Sequence, residues 1–151
     1  MAEREPPSVL TDFAFTTPLR VRWADVDMQG IVFNPNYLVY ADVAMTEYMR
    51  AVGFPYPEAL LPHGADIFVV NTNTDFRASG RFDDELILGV RAARFGRTSF
   101  LFRIAAFRGD ELICDVRSTY VCATEGEQAP VPVPATFVEV VTAFERMKPQ
   151  R

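Results

Sequence analysis

Residues 21–53 read VRWADVDMQGIVFNPNYLVYADVAMTEYMRAVG, and their reading decides the fold. The stretch begins inside an alternating segment, residues 14–25. There Leu19, Val21 and Trp23 fall on one face and Arg20 and Arg22 on the other, the period of a half-buried strand. A turn follows, with Asp25 and Asp27 at its start and Gly30 as its punctuation. Asn34 suits a helix N-cap. Pro35 suits the first helical position, where its missing N–H would be unpaired anyway. The helix is expected to run to about Val52, with Gly53 as its stop. Its polar residues Asp42, Thr46, Glu47 and Arg50 form a narrow stripe. Tyr37, Leu38, Val39, Tyr40, Val43, Ala44, Met45, Tyr48, Met49 and Val52 make the rest apolar. Such a helix is expected to be embedded in the protein.

Upstream, residues 1–12 are a polar, proline-bearing lead-in with no assigned function. Downstream, residues 53–65 hold three prolines and two glycines and make a loop. The helical period then gives way to alternation. Residues 66–77, 85–94, 98–107 and 111–123 read as strands. The links at 95–97 and 108–110 are short, so neighbouring strands are antiparallel. Residues 124–134 are a proline-rich loop. Pro134 is placed to open a short last helix, about 134–147, with Phe137, Val140, Val141 and Phe144 on it. The order is strand, long helix, four strands. One such helix must pack on one face of one curved sheet, an α+β arrangement.

The 151 residues suit a single domain, 1–151. Thirteen Phe and five Tyr fit a wide, well-filled sheet. The formal charge of −5 opposes nonspecific nucleic-acid binding, which needs a basic footprint. Lys148 is the only lysine, and arginines can still gather locally around phosphate. No signal-peptide core and no membrane-length apolar run is present, so a cytoplasmic address and no membrane partner are expected. Cys114 and Cys122 fall on one expected strand, about 26 Å apart, beyond the roughly 7 Å of a disulfide. They are read as reduced, semi-buried thiols. His63, the only histidine, lies between Pro62 and Gly64 in a loop. Two distant cysteines and one histidine do not make a metal site.

Within residues 21–53, Asp25 and Asp27, Gly30, a Val32-Phe33 pair and Asn36-Tyr37 opening the helix follow one pattern. Further on come RFDDEL at 81–86 and RTSF at 97–100. In this order and spacing, residues 18–123 resemble the 4-hydroxybenzoyl-CoA thioesterase family and the related bacterial acyl-CoA thioesterases. The resemblance implies a hotdog fold, a curved antiparallel sheet of about five strands wrapped on one long central helix. It implies an acyl-CoA thioester hydrolase that needs no cofactor, CoA being part of the substrate. It puts the catalytic carboxylate at Asp27 and a carbonyl-polarising backbone N–H at Asn34. The family commonly has an aromatic residue or histidine there, and Asn34 departs from this. Gly30, Phe33, Asn36, Tyr37 and Asp42 would line the substrate pocket, and Arg97 and Ser99 would meet the CoA phosphates. The family forms edge-to-edge homodimers, often paired into tetramers, with each site built from two chains.

Elementary chemistry agrees with that assignment. A helix start carries unpaired N–H groups and about half a positive charge, suited to a developing oxyanion. A carboxylate one turn upstream can attack the thioester carbon or deprotonate a water, and the sequence leaves both routes open. The plain alternative for Asp27 is a turn residue bonding local N–H groups. Asp25 is read as structural or orienting. Glu47 is read as part of a solvated stripe, a reading open to Asp42 as well. Two other functions compete. A hotdog hydratase or dehydratase would need a histidine beside the carboxylate, and His63 lies in a different loop. A non-enzymatic acyl-CoA or acyl-carrier binding module would share the fold without the chemistry. An acyl-carrier protein could also replace CoA in the substrate.

Overall fold

The computed structural model describes residues 5–151. Five strands are present: β1 (Phe15–Arg20), β2 (Asp66–Phe76), β3 (Glu85–Phe95), β4 (Ser99–Arg108) and β5 (Glu111–Ala123). Two helices accompany them, α1 (Asn36–Ala51) and α2 (Ala135–Phe144). The strands form one antiparallel sheet in the order β1-β3-β4-β5-β2. Alternation sends Leu86, Leu88 and Val90 of β3, Phe100, Phe102 and Ile104 of β4, and Val116 and Tyr120 of β5 into one core. Tyr37, Tyr40, Ala44, Tyr48 and Met49 of α1 fill the same core. Fold class and element order are those the resemblance implies. Among the described residues, no helix is long and apolar enough to cross a membrane.

The end of α1 follows local chemistry. Gly53 adopts φ +81°, Gly53 N–H bonds to Arg50 O, and Phe54 N–H reaches back to Met49 O. These two bonds are a Schellman closure, which favours glycine at that position. The start differs from expectation. Asn34 makes no capping bond, Pro35 is the cap, and the helix begins at Asn36. The entry is tightened by Asn36 N–H to Phe33 O and Tyr37 N–H to Asn34 O. The Asn36 amide, not Asn34, anchors this end, donating to Asp25 O at 2.9 Å.

Two further expectations need correction. The first strand stops at Arg20, and residues 23–25 form a 3-10 turn. Trp23 is 77% exposed, packed edge-on against Phe82 instead of the core. The cause is Asp25, which captures the Arg22 backbone N–H and guanidinium and bends the chain. Helix α1 is embedded on one side only, because Leu38, Val39 and Val43 remain exposed. The described N-terminal residues from Ser8 to Phe13, for which the sequence suggested no function, pack on the outer face of the sheet. Ser8 donates to Asp115 through both its N–H and its hydroxyl. Phe13 is buried against Ala105 and Phe107, directly over Gly89. A Cβ at Gly89 would fall 2.5 Å from the Phe13 ring, so only glycine admits that approach.

β1 pairs with β3 only as far as Val90. Beyond it the C-terminal tail takes over. Glu145 accepts the Ala92 N–H at 2.9 Å, Gln150 N–H donates to Ala93 O, and Phe95 N–H donates to Gln150 O. The edge of β3 is thereby covered along its length. Cys114 and Cys122 are free thiols in β5 and fully buried. Burial pushes the first up to about 12 and the second to about 11, so neither is a nucleophile at neutral pH.

Candidate active site

The turn between β1 and α1 is organised around Asp25, which is 3% exposed. Its carboxylate accepts Arg22 N–H at 2.9 Å, Arg22 Nε at 3.2 Å, Arg22 Nη2 at 2.8 Å and the Tyr40 hydroxyl at 2.8 Å. Its carbonyl accepts Phe33 N–H and the Asn36 amide, both at 2.9 Å. Burial alone would raise the Asp25 carboxyl. The bonds from Arg22 and Tyr40 outweigh it and hold the group below the usual carboxylate range. The turn is fastened to the β2–β3 connection as well. Val21 N–H donates to Asp84 O, Val32 N–H to Gly80 O, and Gly80 N–H to the Tyr37 hydroxyl.

Asp27 sits on this frame, half-buried at the turn. Its N–H donates to Ile31 O and its carbonyl accepts Gly30 N–H, both at 3.0 Å. Gly30 has φ +74°, a conformation that a side chain would strain. Oδ1 of Asp27 accepts the Gln29 N–H at 2.8 Å. That bond is the local turn contact expected of any such aspartate. Among the described residues, Oδ2 receives no hydrogen bond, and the Asn34 N–H finds no acceptor. An open carboxylate oxygen and an open N–H at the helix entry therefore belong to one braced turn.

Apolar residues rim this turn: Trp23, Phe33 and Phe82 are each at least half exposed. Beneath it, Tyr37, Tyr40, Ala41, Leu88, Ile104 and Cys114 help to enclose a cavity of about 10 Å³. That is room for roughly one water. The Asn36 amide and Tyr37 hydroxyl are engaged in bracing the turn. Asp42 is exposed six positions further along α1, where partial burial raises its carboxyl. Thr46 bonds back to Asp42 O, and Glu47 pairs with Arg50 at 2.6 Å.

Arg97 and Ser99 are not brought to this turn. They lie at the other end of the sheet, ten strand residues from Glu85, or roughly 30 Å. Arg97 is exposed, and its carbonyl accepts Val133 N–H. His63 is also remote, stacked on Phe54 just beyond the end of α1. Sequence reading missed Arg22 and Tyr40 as the partners of Asp25. Arg22 stands three residues before Asp25, a short-range signal that was available. Tyr40 stands in the sequence only as one of the apolar helix positions.

Comparison with known proteins adds to this geometry. The thioesterase superfamily model matches residues 29–114, which spans Gly30, α1 and β2 to β4 and ends within β5. The chain is 29% identical over 140 residues to the acyl-CoA thioesterase YbgC of Haemophilus influenzae, covering 92% of this chain and all of that one. It is 28% identical over 136 residues to the 4-hydroxybenzoyl-CoA thioesterase of Pseudomonas sp., covering 84% of this chain and 96% of that one. Among solved structures, the 1,4-dihydroxy-2-naphthoyl-CoA thioesterase of Synechocystis superposes with a TM-score of 0.76. At 18% identity, over 84% of this chain and 94% of that one, this likeness concerns the fold. With more than half its length matched by the family model, the chain belongs to the thioesterase superfamily, and it is a thioesterase of the hotdog fold.

Proposed function

We propose that the protein hydrolyses acyl-CoA thioesters, with Asp27 as the reacting carboxylate and the Asn34 N–H as an oxyanion donor. One observation carries this reading. Asp27 has an uncommitted carboxylate oxygen on a turn that Asp25 braces, next to a helix entry with an unpaired N–H. The carbonyl oxygen of the thioester docks at that N–H and gains charge as the carbon is attacked. One such donor is worth on the order of 3 kcal/mol in the transition state. Asp27 acts by either of two balanced routes. It attacks the carbonyl carbon, the C–S bond breaks, CoA leaves as thiolate, and water hydrolyses the mixed anhydride. Alternatively it takes a proton from water, the hydroxide adds to the carbon, and the expelled thiolate is protonated. Both give CoA and a carboxylic acid without a cofactor. Phe33, exposed beside the turn, would contact the acyl group.

The reading extends to a homodimer. β2 is an eleven-residue edge strand with Val69 and Val70 exposed, and α1 exposes Leu38, Val39 and Val43. A long edge strand with an exposed Val69-Val70 pair invites strand pairing. Antiparallel pairing of β2 with its copy about a two-fold axis would join the two sheets edge to edge. It would bring the Asp27 end of one protomer towards the Arg97 end of the other. The partner's Arg97 and the partner's Ser99 would then meet the CoA phosphates, which Arg97 and Ser99 of the same chain do not reach. Val70→Asp should convert the protein to a monomer in sedimentation and abolish most turnover. An active monomer would rule out the two-chain site.

Thiol release from a panel of benzoyl-, phenylacetyl- and short aliphatic acyl-CoAs tests the activity itself. Turnover with a clear preference for one acyl class is expected. No release from any member, with binding retained, would leave a binding module in its place.

A further inference from the structure

The outer face of the sheet carries a row of arginines that the thioesterase reading does not use. Arg91 of β3 lies directly opposite Arg103 of β4, and Arg103 directly opposite Arg117 of β5. Like charges so placed repel, and each needs a counter-charge. Arg103 has Asp115 at 3.0 Å and Glu5 at 3.4 Å. Arg117 has Asp75 at 3.0 Å. Arg91 is 8% exposed, and among the described residues no carboxylate lies within ion-pair distance of it. Its Nε is buried without an acceptor. Burial and the neighbouring Arg103 work against its charge, and Asp12, Glu145 and Glu5 offset this only in part, from beyond contact distance. Yet a guanidinium keeps its proton at any ordinary pH, so Arg91 cannot escape as a lysine or histidine would. A buried charge without a partner is costly.

Beside Arg91 is a cavity of about 120 Å³, lined also by Glu5, Arg94, Leu101, Met147 and Lys148. That is room for several waters, enough to admit a tetrahedral oxyanion. Lys148 spends two bonds on Thr142 O and Glu145 O and keeps its third hydrogen. Arg94 is exposed. Glu5 is the one carboxylate among these lining residues, and it lies within 3.4 Å of Arg103.

We infer that this cavity is a binding site for free phosphate, with the Arg91 guanidinium as its buried anchor and Arg94 and Lys148 supporting it at the rim. A dianion supplies Arg91 with the contact partner that no described carboxylate gives it, and the planar guanidinium fork suits its oxygens. Glu5 competes with it for the same cations. The site lies on the face of the sheet opposite α1, apart from Asp27. Its role is to stabilise the packed N-terminal segment and C-terminal tail that wall it.

Thermal unfolding of the full chain, titrated with sodium phosphate against sodium chloride of equal ionic strength, tests this. Phosphate at about ten times its Kd should shift the folding equilibrium roughly tenfold, a rise in Tm of roughly 3–5 °C. Arg91→Met should lose that rise, be at least as stable as wild type without phosphate, and keep kcat/KM for acyl-CoA. Glu5→Gln, at an exposed position, should tighten the phosphate response, and Arg94→Ala should weaken it. These two variants carry the test if Arg91→Met does not fold. An equal rise in wild type and Arg91→Met, or no rise in wild type, would overturn the proposal. So would a raised KM for acyl-CoA in Arg91→Met, which would make Arg91 part of the grip on the substrate.

Discussion

Two tyrosines on the buried face of α1 each donate to a buried carboxylate, and the surroundings drive the two carboxylates in opposite directions. At the entry turn, Tyr40 donates to Asp25, which also takes three bonds from Arg22 and is held below its ordinary range. Under the C-terminal tail, Tyr48 donates to Glu145, which also accepts Ala92 N–H. Among the described residues no cation bonds the Glu145 carboxylate and its Oε2 lacks a partner; Arg91 and Lys148 act on it only from a distance, and burial pushes it up. A tyrosine does not by itself fix the charge of a buried acid; an adjacent guanidinium does. The charged pair braces the candidate active turn. The other closes a seam between tail and sheet.

The largest effect of breaking this contrast is expected at Asp25. Asp25→Asn should lower stability at pH 7 by about 2–3 kcal/mol, since it weakens several charge-assisted hydrogen bonds at once. The folded pKa lies below the unfolded value near 3.9, so this stability is present above that pH and lost as pH falls through the folded value. Urea melts should show the deficit of the variant shrinking from pH 5 towards pH 2. A deficit constant over that range would mean that Asp25 acts through shape alone. Glu145→Gln should have the smaller effect, within about 1 kcal/mol of wild type at pH 4, because the amide oxygen can still accept from Tyr48 and Ala92. Here the folded pKa lies above the unfolded value near 4.3. The stability from Glu145 is full below that value and declines as pH rises through the folded one. The variant should therefore gain on wild type between pH 4 and pH 7. Opposite pH slopes for the two variants would confirm the contrast, and parallel slopes would break it.

What was legible in the sequence was local. The Gly53 stop, the helical period and the strand alternation all rest on contacts a few residues apart, and the antiparallel sheet followed from two short links. What was missed depends on distant partners. Trp23 leaves the core because Asp25 redirects the chain. Asn34 cedes the anchoring of α1 to Asn36, whose acceptor is Asp25 O. Phe13, just after the lead-in, is buried over Gly89, a pairing that no periodicity announces. Asp27 itself was legible only as part of a motif. Its local chemistry, a single bond from Gln29 N–H, is that of an ordinary turn. Arg97 could be named from a separate segment of the same resemblance, but its distance from Asp27 within one chain required the sheet.

The most direct measurement is steady-state thiol release by Asp27→Asn on the preferred acyl-CoA, with Tm measured alongside. Asp27 makes one side-chain bond, to an exposed turn, so the variant should melt within about 2 °C of wild type. Its kcat should fall at least ~100-fold, as expected on losing the nucleophile or base. A folded variant with kcat within a few-fold of wild type would contradict the account and remove Asp27 from the chemistry.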